Sequence, residues 1–223
     1  MTPVPAPAPD LSHIETWIFD LDDTLYPPEA EVMALVSQKM TAFVARESGL
    51  SVEDAYALQK RYLNEHGTTL AGLMAHHGIN PETFLDEVHD VSLDALKPDP
   101  ALTEGLKRLP GRRLVFTNGD DKHAVRVLEK LGIADLFEAI FHIASADYIP
   151  KPHPDTMARM MARHAVVARQ SAFFEDRAVN LAPAHQVGLT TVLVGPHAIE
   201  TTDPHIDFRT ERLPPFLLAA RTA

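Results

Sequence analysis

The chain has 223 residues, with 20 Lys and Arg against 31 Asp and Glu, giving a formal net charge of −11. That balance, without any basic run, argues against a nucleic-acid polymer as partner, because phosphate backbones demand clustered Lys and Arg. The sequence has no Cys, which excludes disulfide frameworks, thiol nucleophiles and Cys-type zinc or iron–sulfur centres, and no apolar run reaches the ~20 residues that span a bilayer.

From the N-terminus, Pro alternates with small residues as far as Asp10, without the basic start or apolar stretch of a secretory signal. Residues 1–12 therefore read as a flexible Pro-rich tail, and the cytoplasm is the expected location. Five short segments rich in β-branched and aromatic residues follow, at 16–20, 112–117, 139–143, 171–175 and 190–194. Their interiors, such as Trp17-Ile18-Phe19, Leu114-Val115-Phe116 and Ala172-Phe173-Phe174, are continuously apolar. Runs of this kind suit strands buried on both faces of a parallel sheet. Helical stretches at 122–131, 154–164 and 179–186 separate several of them. Strand and helix in alternation predict an open α/β sheet with right-handed crossovers.

The first two strands break the rhythm. More than eighty residues lie between Tyr26 and Pro110, and Val32, Leu35, Val36, Met40, Phe43 and Val44 recur there at helical spacing. A structureless loop of that length is improbable, so residues 28–96 are expected to form a compact helical insert, leaving 13–27 and 97–223 as the core. Prolines at 27, 28, 98 and 100 mark the two connections.

The sharpest feature is Asp20-Leu21-Asp22-Asp23-Thr24, directly after the first strand. Open α/β sheets bind ligands at the carboxyl ends of their strands. Asp20 and Asp22 are two apart, so an extended backbone lets both address one pocket. Two carboxylates 4 Å apart repel by about 1 kcal/mol in water and about 4 kcal/mol at an effective dielectric of 20, a cost that a cation relieves. Helix capping is the alternative reading for one of these residues, but not for three acids and a Thr together. Other strand ends carry Thr117-Asn118-Gly119 and Glu175-Asp176, while Lys151 stands between two prolines. Taken singly, each has a bland reading as a turn, a cap or a solvated Lys.

Together these residues suit phosphoryl transfer. A carboxylate can attack phosphorus, provided that a hard divalent cation and an ammonium offset the charge of the phosphate. In this reading Asp20 is the nucleophile, and Asp22 protonates the leaving oxygen and later activates water. Thr117, Asn118 and Lys151 hold the phosphoryl oxygens. Asp20, Asp22 (through its carbonyl) and Asp176 hold Mg2+, with Glu175 beside it.

These four segments resemble the ordered motifs of the haloacid dehalogenase superfamily, a similarity that covers residues 16–195. The resemblance implies a Rossmann-like core with strand order 5-4-1-2-3, an α-helical cap inserted after the first motif, and Mg2+-dependent hydrolysis through an aspartyl-phosphate. Members that expel halide lack the second Asp, since halide needs no proton, so Asp22 favours phosphate esters. A narrower resemblance is to pyrimidine 5′-nucleotidases, carried by Asp22-Asp23-Thr24-Leu25-Tyr26, by residues 62–73 around Gly67-Thr68-Thr69, by Pro150-Lys151-Pro152 and by Phe174-Glu175-Asp176.

That narrower resemblance makes His66, Thr68 and Thr69 candidate substrate contacts, with helix capping as the equal alternative for Thr68. The expected partner is a small phosphate ester, a pyrimidine nucleoside 5′-monophosphate above others, and no membrane. A phosphosugar phosphatase or mutase and a non-catalytic binding protein are the rival readings. A mutase needs a second phosphate clamp, and Lys39, Arg46, Lys60 and Arg61 form no evident one. None of the twelve His reads as a metal ligand, and apart from His66 they read as surface or core residues. Oligomeric state stays open.

Overall fold

A computed structural model describes residues 8–223. Strands β1 (Thr16–Phe19), β2 (Arg112–Phe116), β3 (Ala139–Phe141), β4 (Ser171–Glu175), β5 (Thr190–Val194) and β6 (Phe208–Thr210) form one parallel sheet in the order β3-β2-β1-β4-β5-β6. Read from the other end, this is the expected 5-4-1-2-3 order with β6 added outside β5. The first strand is therefore central, and every residue of β1 and β4 is buried. The expected strand at 139–143 stops at Phe141, and residues Ile143–Ala146 form a 3-10 turn instead.

Alternate side chains of the central strands enter two cores. Trp17, Phe19, Val115 and Phe174 face α5 (Pro100–Arg108), α6 (Asp121–Leu131) and α9 (Leu213–Ala219). Ile18, Leu114, Phe116 and Phe173 face α7 (Pro154–Arg163) and α8 (Ala178–Val187). Phe19 stacks on Phe174 at 4.7 Å, and the Trp17 indole donates to the Pro110 carbonyl at 2.7 Å. Burial of such aromatic side chains is the main stabilising contribution.

Between β1 and α5 run four helices, α1 (Val32–Ser48), α2 (Val52–His66), α3 (Thr69–His77) and α4 (Pro81–Val88). Their ends follow from local chemistry. The side chains of Ser51, Thr68 and Asn80 accept backbone N–H bonds at the starts of α2, α3 and α4. The helices bury one another's apolar stripes, and Phe43 meets Phe84 edge to face at 5.0 Å.

The N-terminal tail departs from expectation. Residues 1–7 lie outside the described residues, but Leu11 is fully buried and donates its N–H to the Arg221 carbonyl at 2.9 Å. Asp10 pairs with Arg221 in a parallel bridge. Residues 8–12 are therefore docked on the C-terminus rather than free, because Leu11 gains a core position that a solvated tail forgoes. Among the described residues, no helix is long and apolar enough to cross a membrane.

Candidate active site

The carboxyl ends of β1, β2 and β4 meet at one ammonium. Lys151 donates from Nζ to Asp20 Oδ1 at 2.6 Å, to Glu175 Oε2 at 2.7 Å and to the Phe116 carbonyl at 2.8 Å. Three acceptors match the three donors of the group, which is what a Lys only 3% exposed requires. Its stem lies against Phe116 and Phe173, with Nζ 5.0 and 5.4 Å from the ring centres.

Asp176 completes an acidic cluster, since one ligand oxygen from each of Asp20, Glu175 and Asp176 lies within 4.8 Å of the others. Burial and the neighbouring Glu175 charge push Asp20 and Asp176 well above the ordinary carboxylate range. Burial also acts to raise Glu175, but the Lys151 ammonium together with hydrogen bonds from Asp176 and the Arg177 N–H holds the group low. Three acids sharing one cation leave an excess of negative charge. A hard, all-oxygen donor set of this kind fits a divalent hard cation.

Asp22 lines the same cavity as Asp20, as its spacing predicts. Its Oδ1 accepts from His123 Nε2 at 2.8 Å and from the Tyr26 hydroxyl at 2.5 Å. Burial alone would raise Asp22, yet His123 and Tyr26 hold it below its usual range. Conversely, burial opposes protonation of His123, but the Asp22 charge raises its pKa overall.

Thr117 is buried, and its Oγ1 accepts from the Gly119 N–H at 2.9 Å. Asn118, expected to hold phosphoryl oxygens, lines the cavity, and its carboxamide is engaged with the backbone of Lys151. Its Oδ1 accepts from the Lys151 N–H at 2.8 Å, and its Nδ2 donates to the Lys151 carbonyl at 3.2 Å. Asn118 thus clamps the loop that presents the ammonium.

The helices supply the roof. A cavity of about 290 Å3 is lined by the acidic cluster and Lys151 below and by Met33, Ser37, Met40, Gln59 and Phe84 above. Gln59 accepts from the Thr41 hydroxyl at 2.6 Å and donates to Ser37 Oγ at 3.0 Å, forming a short polar network at this roof. A larger cavity, of about 810 Å3, lies at the two proline-marked connections but includes none of Asp20, Lys151, Glu175 or Asp176. The chemistry-bearing side chains therefore select the smaller one.

The expected roof contacts divide. Thr68 and Thr69 line the cavity. Thr68 Oγ1 also accepts from the Ala71 N–H at 3.1 Å, and Thr69 is buried with its hydroxyl 3.4 Å from the Gln59 carbonyl. His66 does not line it. Its Nε2 lies 3.1 Å from His76 Nε2, beside the Tyr62 ring, because the packing of α2 on α3 turns this side chain away. Gly67, at φ +82°, brings this segment against the Lys151 loop. A Cβ there would stand 3.2 Å from Pro150 Cγ and 3.3 Å from the Lys151 carbonyl.

Sequence reasoning missed His123 and His89, which it left among surface or core residues, and Asp120, which it did not single out. His123 is fully buried and sits in the first turn of the helix after Thr117-Asn118-Gly119. That position was the available signal.

Residues 14–188 match the family described as haloacid dehalogenase-like hydrolase, and the chain belongs to it. Over 215 residues it is 30% identical to phosphate metabolism protein 8 of Saccharomyces cerevisiae, covering 89% of this chain and 65% of that protein's length. It is also 26% identical over 211 residues to a glyceraldehyde 3-phosphate phosphatase of Methanopyrus kandleri, covering 87% of this chain and 89% of the relative. The fold resembles a HAD phosphatase from Thermococcus onnurineus, with a TM-score of 0.59 and 18% identity, covering 89% of this chain and 94% of the other.

Proposed function

We propose that the chain is a Mg2+-dependent phosphatase that hydrolyses a small phosphomonoester through an aspartyl-phosphate on Asp20. The observation that carries this reading is the Lys151 ammonium bonded to Asp20 and Glu175 beside Asp176, with Asp22 lining the same cavity.

Asp20, Glu175 and Asp176, with the Asp22 carbonyl, are the residues that would hold Mg2+. When bound, the ion offsets the charge of the acidic cluster and of the phosphate. The chain's own groups carry the rest. Lys151, held by the Asn118 clamp, neutralises the phosphoryl oxygens with help from Thr117. The Asp20 carboxylate attacks phosphorus, while Asp22, ionised in the free fold and protonated once the negative phosphate stands beside it, gives its proton to the departing ester oxygen. Asp22 then takes a proton from the water that hydrolyses the acyl phosphate, which restores both carboxyl groups. Residues 28–96 act as a cap that closes over the cavity and excludes bulk water.

The retained Asp22 supports an ester leaving group over halide. The cavity, close to the lower end for ligand sites, supports a small substrate. Hydroxyls of Thr68 and Thr69 and the Ser37–Gln59 network favour a pyrimidine nucleoside 5′-monophosphate, whose base edge needs both donors and acceptors. The similarity to a glyceraldehyde 3-phosphate phosphatase supports a phosphosugar as the second reading. Mg2+-dependent phosphate release, measured across uridine, cytidine and purine monophosphates and triose or hexose phosphates, tests these readings. Faster turnover of uridine and cytidine monophosphates is expected. Preference for a triose phosphate favours the second reading, and no Mg2+-dependent release from any of them overturns the phosphatase assignment.

A further inference from the structure

Asp22 and His123 are 101 residues apart in sequence, and their contact joins the loop after β1 to the first turn of α6 at the carboxyl edge of the sheet. Both protein donors to Asp22, His123 Nε2 and the Tyr26 hydroxyl, bind the same oxygen, Oδ1. Neither bond falls on Oδ2. A carboxyl group pinned through one oxygen has its plane fixed, and the other oxygen is left to exchange a proton with substrate or water.

His123 is itself held both at its backbone and at its ring. Its backbone N–H donates to Asp120 Oδ1 at 2.6 Å, and the ring stacks on His89 with centres 4.3 Å apart and planes at 12°. His89 Nδ1 lies 2.8 Å from Asp120 Oδ2, so one carboxylate holds both the His89 imidazole and the His123 backbone. His89 follows α4, in the segment that roofs the cavity, and its carbonyl accepts from Arg126 at 2.9 Å. Such bracing makes a specific rotamer persist, and loss of orientation at a reacting group lowers rate steeply.

We propose that His123 is a positioning residue for Asp22, fixing the carboxyl through Oδ1 so that Oδ2 faces the ester oxygen of the substrate. This rests on the phosphatase reading above. In the first half-reaction a P–O bond forms to Asp20 as the ester P–O bond breaks, and the proton on Asp22 Oδ2 passes to the departing oxygen. The alcohol leaves neutral, and Asp22 remains as a carboxylate with two donors on Oδ1.

Dependence on leaving group separates this role from a purely structural one. An alkoxide departs poorly without a proton, whereas a nitrophenolate departs without one. The test compares kcat/KM of the Mg2+-loaded wild type, His123→Phe, His123→Gln and Tyr26→Phe on an alkyl phosphate and on p-nitrophenyl phosphate. His123→Phe keeps an aromatic ring against His89 but no donor, while the Gln amide restores a donor at the reach of Nε2. Proton donation is worth roughly 10²–10⁴ in rate. Accordingly, the alkyl substrate is expected to lose at least about tenfold more than the aryl one in His123→Phe and in Tyr26→Phe, with His123→Gln recovering most of the difference.

Equal losses on both substrates in His123→Phe and Tyr26→Phe overturn the positioning role and leave the phosphatase reading standing. Equal loss in Tyr26→Phe decides the matter in the same way where His123→Phe does not fold. A wild type inactive on both substrates overturns the phosphatase reading itself.

Discussion

Lys151 and Asp20 are 131 residues apart in sequence, yet their side chains meet at 2.6 Å beneath the sheet's carboxyl edge, both buried. The contact joins the third and first motifs, and the same ammonium also bonds Glu175, which clusters with Asp20 and Asp176. Removing Lys151 strands two buried carboxylates. Breaking a buried pair from one side costs about 3–5 kcal/mol. Lys151→Met is therefore expected to lower stability by about that amount in urea melts and to abolish turnover. Lys151→Arg is expected to fold better than Lys151→Met and still lack activity, because a planar fork does not reproduce three converging bonds from one nitrogen. An active Lys151→Met enzyme would contradict this.

Asn118 controls where that ammonium stands. Its two bonds to the Lys151 backbone contribute about 1 kcal/mol each. Asn118→Ala is expected to lose about 2 kcal/mol and to cut kcat more than KM is raised, since the loop holds Lys151 for charge that develops in the transition state. Asn118→Asp keeps the acceptor and loses the donor, so stability and kcat between those of the wild type and the Ala variant are expected.

The acidic cluster links stability to pH and metal. Asp20 and Asp176 titrate above their ordinary range in the metal-free fold, so the native state binds more protons than the unfolded chain. Stability contributed by the protonated groups is then greatest in acid and declines as pH rises through the ordinary carboxylate range and beyond. A bound divalent ion replaces those protons and is favoured as pH rises. Thermal melts with and without Mg2+ between pH 5.5 and 8 are expected to show a stabilisation that grows with pH. A shift independent of pH would mean that the ion binds elsewhere.

Gly111 tests the frame that brings β1 and β2 together. At φ +76° it passes so close to the start of β1 that a Cβ would stand 2.2 Å from the Glu15 carbonyl oxygen. Gly49 has φ +70° but nothing within 4 Å of that point. Gly111→Ala adds overpacking of about 1–3 kcal/mol to the backbone strain that both substitutions share. Urea melts are expected to rank Gly111→Ala as clearly less stable than Gly49→Ala.

Much of this arrangement was legible in the residues. Strands β1, β2, β4 and β5 were visible because burial on both faces leaves an unbroken apolar run, and acids fell at the ends of β1 and β4. The edge strand β6 was not, since Phe208-Arg209-Thr210 is short and half-buried. Leu11 was read as tail because a single apolar residue among prolines carries no period, and its partner Arg221 lies at the other end of the chain. The direction in which His66 points depends on how α2 meets α3, and the contact of His123 with Asp22 on how α6 meets the first loop. Both are long-range packing outcomes that local spacing does not encode. Thr68 and Thr69 were placed at the cavity by motif alone, and their hydroxyls also serve the helix framework.

In the proposed reaction Asp20 bonds covalently to phosphorus. Acid-quenching the enzyme during turnover of a phosphomonoester, followed by peptide mass spectrometry, tests it directly. One phosphoryl group is expected on the peptide containing Asp20, absent in Asp20→Asn, which also shows no turnover. Turnover by Asp20→Asn, or a phosphoryl group carried on another residue, would contradict it.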